Sequence, residues 1–315
     1  GKISLGSYTA VMIYLGQAGS LLGSLCSYWG YVAQQSVTLE KFFEVMENEP
    51  KIKDAENAVG IWNIKGDIVF KDVRFGYEAD KPVIRGVNLN IPASSWVGIA
   101  GHSGCGKTTL VNLLLRLYEP LDGEILLDGM DLKKIKLNSL RKNIAIATQE
   151  PFLFDVSIKE NISYGLRNVS QIKVLEASSM VYLHDYVSAL PQGYESLIGE
   201  NACRLSQGYK QRVALARAII RNPDLLILDE ATSSIDSASE EKILAGLRAK
   251  RQGKTTIVIS HRLSTIKDAD RIYFFAPGGA IEEGRHDELM GKSELYGRFF
   301  QNQTERKIEV ASSPV

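Results

Sequence analysis

The sequence is short of cysteine, has no net charge and, over its first stretch, carries no charge at all. Three cysteines, Cys26, Cys105 and Cys203, form neither an even set nor a C-x-x-C pair. That excludes a disulfide framework and suits a reducing compartment. The 37 basic and 37 acidic residues cancel, so no global basic field draws the chain to nucleic acid. No internal repeat is visible, and the chain begins with Gly1 rather than Met, as a processed or truncated piece does.

The missing charge runs from Ile3 to Leu39. Its apolar centre, Ala10 to Ala33, is long enough as a helix to cross a hydrocarbon layer of about 30 Å. Small residues recur at helical spacing: Gly16, Gly19, Ser20, Gly23, Ser24 and Ser27. Gly19 and Gly23 make a G-x-x-x-G pair, on which membrane helices pack closely. Tyr28, Trp29 and Tyr31 sit near the end, as interfacial aromatics do. A signal peptide fits less well, because the apolar part is long and no small-residue cleavage site follows. Lys41, Lys51 and Lys53 then point to a cytoplasmic C-terminal side. One helix cannot enclose a pathway, so further spans are implied elsewhere.

Glu40 to Met46 continues helical, and Glu47 to Asn63 is charged and irregular around Pro50. From Gly66 the pattern becomes strands, with Ile68, Phe70, Val73, Phe75 and Tyr77 facing Val87, Leu89 and Ile91 in an antiparallel region. Later, short apolar runs alternate with helical stretches, the mark of a largely parallel sheet covered on both faces. Four such runs are Ile144–Ala147, Leu225–Leu228, Thr256–Ile259 and Ile272–Phe275. Ser157 to about Arg221 is more helical, and Gln207–Ile220 reads as one good helix. Ser237 with Glu240 reads as a capping box opening another.

The chemistry centres on Gly101-His102-Ser103-Gly104-Cys105-Gly106-Lys107-Thr108-Thr109. It follows an apolar strand and precedes an apolar helix, and it fits the phosphate-loop pattern G-x-x-x-x-G-K-[ST]. Glycines at 101, 104 and 106 let successive N–H groups turn inward as an anion nest. The helix start adds its positive end. Lys107 then suits β- and γ-phosphate oxygens, and the Thr108 hydroxyl suits Mg²⁺. Asp229 ends the run Leu225-Leu226-Ile227-Leu228, where a second hard oxygen ligand belongs. Glu230, one residue on, is placed to polarise an attacking water.

Together these motifs make the chain resemble the C-terminal part of an ATP-binding cassette (ABC) exporter over about residues 1–301. The resemblance implies an α/β fold. Its P-loop NTPase core carries an antiparallel β subdomain and a helical subdomain, and a transmembrane helix precedes it. It implies a last membrane helix and its extension over 1–39, a linker over 40–65, a nucleotide-binding domain over 66–301 with its helical subdomain at about 151–221, and a flexible tail over 302–315. It implies Tyr77 as the aromatic that stacks on adenine, and Gly101 to Thr109 as Walker A. Leu225 to Glu230 become Walker B. Gln149 matches the Q-loop glutamine, touching Mg²⁺ and the attacking water. Ser234-Ile235-Asp236 match the D-loop, with Asp236 near nucleotide, and His261 matches the residue that contacts the γ-phosphate. Lys107, Gln149, Glu230 and His261 are the expected catalytic set, and Thr108, Gln149 and Asp229 the expected Mg²⁺ ligands. Cys105 reads as a small filler within the loop rather than a redox switch.

One region departs from the family pattern. Where the family has LSGGQ, this chain has Leu205-Ser206-Gln207-Gly208-Tyr209. Ser206 and Gly208 are kept, and Ser206 suits a helix cap with its hydroxyl offered to a phosphate. In the family this stretch serves the nucleotide held by a second chain, so the expected partners are a second half-transporter, identical or different, and the remaining transmembrane domain. The expected activity is ATP hydrolysis that drives two such domains together and moves a substrate across a membrane, with the nucleotide domain on the cytoplasmic face. The altered signature leaves a second reading, a weakly hydrolysing regulatory half of a heterodimer. Glycine is also missing from Ala93-Ser94-Ser95-Trp96, where a small backbone effect is expected.

Overall fold

The computed structural model describes residues 4–47, 49–78, 80–199, 202–276 and 280–301. The chain divides after Lys51 into two units. The first is a helix, α1 (Leu5–Glu47), of 43 residues with none buried within the chain. At about 1.5 Å per residue it is about 65 Å long. Among the described residues it is the one helix long and apolar enough to cross a membrane. Of the stretch expected as a linker, 40–65, the part through Glu47 is therefore helix.

The second unit holds two sheets. Strands β1 (Ile68–Phe75), β2 (Ile84–Ile91), β4 (Asp122–Leu127) and β5 (Met130–Asp131) form an antiparallel sheet in the order β2-β1-β4-β5. Asp128 and Gly129 turn β4 into β5, both at positive φ (51° and 80°), as a tight hairpin turn requires. The larger sheet joins β3 (Trp96–Gly101), β6 (Ile144–Ala147), β7 (Leu225–Asp229), β8 (Thr255–Ile259), β9 (Arg271–Phe275) and β10 (Ile281–Gly284). Its order is β10-β9-β3-β8-β7-β6, parallel throughout except for the antiparallel edge strand β10. The edge strand was not expected.

The continuous apolar runs follow from burial on both faces. Leu225 and Ile227 join one core with Val97, Ile99, Ile257 and Ile259, and Leu226 and Leu228 join another with Ala100 and Val258. Successive side chains point to opposite faces, so a strand covered on both sides has no polar position.

Helices α2 (Lys107–Leu114), α3 (Leu137–Asn143), α4 (Ile158–Ile162), α5 (Gln171–Met180), α6 (His184–Ser188), α7 (Gln207–Ile220), α8 (Ser237–Lys250), α9 (Leu263–Ile266) and α10 (His286–Lys292) complete the unit. Helix α7 packs on α4 and α5 and against the β6 edge. Residues before β1 are strapped down: Arg116 donates to the Lys53 carbonyl, Leu137 N–H to Asp54, and Ser139 both gives to and receives from Ile61.

Two local expectations change. The cap of α8 is Asp236, not Ser237: its carboxylate accepts from the Ser239 N–H at 2.8 Å. Glu240 does not reach back to close a capping box, because it turns into the core. There it receives Thr232 Oγ1 at 2.5 Å, Thr265 Oγ1 at 2.9 Å and Arg262 Nη1 at 3.1 Å. Ser206 is the N-cap residue of α7, but its side chain makes no cap hydrogen bond. Where glycine is missing, Ser94 takes a left-handed φ of 58° and is held by Thr255 Oγ1 and the Gly253 carbonyl. The expected tail, 302–315, lies outside the described residues.

Candidate active site

Strand β3 ends at Gly101 and α2 begins at Lys107, so the intervening loop opens at the carboxyl edge of the parallel sheet. Two of its glycines are required for different reasons. A Cβ at Gly101 would stand 2.6 Å from the Phe275 carbonyl oxygen, and one at Gly106 would stand 2.6 Å from Ile84 Cδ1. Both positions also have positive φ, 147° and 98°. At Gly104 nothing lies within 4 Å, and only its positive φ of 79° favours glycine.

The Lys107 ammonium is nearly buried and donates to the carbonyls of Gly101 and His102, at 2.9 and 2.8 Å. Cys105 Sγ lies 3.7 Å from the same ammonium and packs against the core under the loop. The His102 ring faces outward and meets the edge of Phe299 at 5.0 Å. Thr108 Oγ1 donates to Asp229 Oδ2 at 3.2 Å, which brings together oxygens 121 residues apart in sequence.

A cavity of about 540 Å³ lies over this loop. Besides the loop it is lined by Tyr77, Gln149, Glu230 and His261. Asp229 is buried beneath it. The structure thus gathers most of the expected set from one chain, but His102, Cys105, Ser206, Gly208 and Asp236 do not line the cavity: His102 turns out to Phe299 and Cys105 packs under the loop. Tyr77 is fixed by its hydroxyl, which lies 3.2 Å from Thr109 Oγ1 and accepts from Asn112 Nδ2 at 3.2 Å. Tyr118 meets its ring edge to face at 5.0 Å.

The two carboxylates are tuned in opposite directions. Burial pushes the Asp229 carboxyl above its ordinary range, opposed by the hydroxyl of Thr108. Glu230 is held below its ordinary range, chiefly by a hydrogen bond from His261. Its Oε1 lies 3.4 Å from His261 Nδ1, with the imidazole half exposed and the carboxylate mostly covered. Glu230 also sits at positive φ, 50°, with its N–H bonded to the Ile259 carbonyl, which aims its side chain at the cavity rim.

The donor set fits a nucleotide with Mg²⁺. A hydroxyl and a carboxylate, with the Gln149 amide nearby, are hard oxygen donors. Among the described residues no three His, Cys, Asp or Glu side chains gather to hold a metal by themselves.

Residues 84–233 match the family model described as ABC transporter. The chain carries an ABC transporter ATP-binding domain. This ABC domain is 42% identical over 271 residues to ABC transporter B family member 3 of Dictyostelium discoideum, covering 85% of this chain and 19% of that protein. It is 41% identical over 264 residues to the ATP-dependent lipid A-core flippase of Syntrophus aciditrophicus, covering 84% of this chain and 44% of that one. The chain therefore spans less than half of the length of these curated relatives. A solved bacterial Atm1-family ABC exporter with ATP bound superposes with a TM-score of 0.85 at 36% identity, over 96% of this chain and 54% of that one.

Gln211 and Arg262 were not among the residues expected at the site. Gln211 is 1% exposed and reaches two loops of the site, and Arg262 ties the segment after Glu230 to Glu240. A polar residue between helix-forming neighbours carries no sign of burial, so only the fold reveals them.

Proposed function

We propose that this chain is the ATP-hydrolysing half of an ABC exporter, in which ATP-driven closure of two such domains moves a substrate across a membrane. The observation that carries the reading is the Glu230–His261 contact at 3.4 Å on the rim of a cavity floored by Lys107 and Thr108. Glu230 is an ionised carboxylate lining the cavity, where it can accept a proton from water. Lys107 neutralises phosphate charge from within the loop. Tyr77 supplies a π-face to the base. Thr108, Asp229 and Gln149 would hold Mg²⁺, which contributes neutralisation of charge on the phosphate oxygens. The half-exposed His261 lines the cavity, which suits contact with a terminal phosphate, and it lies against Glu230.

Ser206 and Gly208 lie off this cavity, which suits service to nucleotide on a second chain, a copy of this one or a different half-transporter. The part of α1 without charge, Leu5 to Leu39, supports an integral membrane protein, with the ATP-binding domain on the cytoplasmic side. The regulatory-half reading has the altered signature behind it. The intact Glu230–His261 pair favours hydrolysis. The test is steady-state ATP turnover by the full chain in a lipid bilayer. Mg²⁺-dependent hydrolysis is expected, and tight ATP binding without turnover would support the regulatory reading instead.

A further inference from the structure

Gln211 is buried on α7, and nothing in the reaction proposed above uses it. Its amide is nonetheless fully engaged by two loops. Nε2 donates to the Gln149 carbonyl and to Ser233 Oγ, each at 2.9 Å. Oε1 accepts from the Ser234 N–H, also at 2.9 Å. The loops lie 62 and 22 residues away in sequence.

Both loops carry groups of the site. Gln149 lines the cavity. Ser233 closes the turn that follows Glu230, its N–H bonded to the Glu230 carbonyl at 3.1 Å. One turn before Gln211 on α7, a Cβ at Gly208 would stand 2.8 Å from the Ser234 carbonyl oxygen. Helix and loop backbones are therefore in contact. On another side of the same turn, Arg262 donates to the Ser233 carbonyl at 2.5 Å. The turn after Glu230 is thus clamped between α7 and the residue next to His261.

We infer that Gln211 is a positioning residue for hydrolysis: through one buried amide it sets Gln149 against the Glu230 turn and ties both to α7. This rests on the reading of the site as ATP-hydrolysing. The chemistry calls for an amide, because only Asn and Gln offer two donors and an acceptor in one plane. Glutamate at 211 keeps an acceptor for the Ser234 N–H but has no proton for the Gln149 carbonyl. Methionine has the length and neither function. Nucleotide contacts themselves do not pass through Gln211, so binding and turnover separate.

The test compares the full chain with Gln211→Glu and Gln211→Met, measuring affinity for a fluorescent ATP analogue, kcat and KM for ATP, and the thermal midpoint. Affinity and KM are expected within about threefold of the parent, and kcat lower by about 10- to 100-fold, the scale of a small misplacement of reacting groups. The double variant Gln211→Met with Ser233→Ala is expected to be no slower than Gln211→Met alone, since both act on one contact. A folded Gln211→Met with parental kcat overturns the inference, as does a kcat loss matched by an equal loss of affinity. Where Gln211 variants do not fold, Ser233→Ala decides: about threefold lower kcat at unchanged affinity supports the clamp, and parental kcat overturns it. No hydrolysis by the parent chain overturns the proposed function along with this inference. Hydrolysis that is indifferent to residue 211 overturns only the inference.

Discussion

The two stretches of this domain that are suited to phosphate, Gly101–Thr109 and Ser206–Tyr209, are built differently. The first is complete within the chain. Its glycines adopt backbone that side chains would block, its lysine is nearly buried among loop carbonyls, and a cavity opens above it. The second has little of this. Its serine makes no cap bond, its glycine presses on the Ser234 carbonyl, and Tyr209 turns sideways to stack on Tyr186 with ring centroids 3.6 Å apart. The difference teaches that the two stretches do different work here. The first forms a cradle under a cavity of its own chain, and the second packs on a neighbouring loop of its own chain while leaving its helix start exposed.

The comparison can be pressed from either side. The largest effect should come from the first stretch. Lys107→Ala removes the one ammonium in the loop, and ATP turnover by the full chain should fall at least about 100-fold. Turnover within tenfold of the parent would mean that the loop does not hold the reacting phosphate.

Next in size is a change in the support. Glu240→Ala leaves Arg262 without its buried carboxylate and removes the acceptor for Thr232 and Thr265. Breaking a buried pair of this kind costs about 3 kcal/mol. Chemical denaturation of the full chain should show that loss. A change below about 1 kcal/mol would mean that the Glu240 network adds little.

A smaller effect separates base recognition from phosphate binding. Tyr77→Phe keeps the ring but loses the hydroxyl contacts to Thr109 and Asn112. At about 1 kcal/mol per hydrogen bond, partly offset by water at this half-exposed position, KM for ATP should rise about threefold with kcat unchanged. A fall in kcat alone would place the hydroxyl in the chemistry.

The smallest effect belongs to the second stretch. Tyr209→Gln restores the family residue and removes the stack on Tyr186. The thermal midpoint should drop by a few degrees, in keeping with about 1 kcal/mol for an aromatic pair. Turnover should change far less than in Lys107→Ala. Equal losses in the two variants would erase the contrast drawn above.

What could be read in advance follows the same division. The phosphate loop, the strand ending at Asp229 and the parallel sheet all declare themselves through local pattern: glycine spacing, apolar runs and a carboxylate at a strand end. The cap at Asp236 was displaced by one residue, because Glu240 is drawn inward by Arg262, a contact no local pattern contains. The edge strand Ile281–Gly284 pairs on one side only and has too few apolar residues to show a period. Gln211 lies within the expected helix Gln207–Ile220, and its burial depends on loops 22 and 62 residues away.

The central claim is that Glu230, oriented by His261, activates water over a nucleotide held by the first stretch. Glu230→Gln tests it most directly, because the amide keeps the shape and loses the base. Nucleotide affinity and steady-state hydrolysis should be measured on the same bilayer-reconstituted full chain. The account predicts affinity within about threefold of the parent and hydrolysis lower by at least about 100-fold. Near-parental hydrolysis in that variant would contradict it.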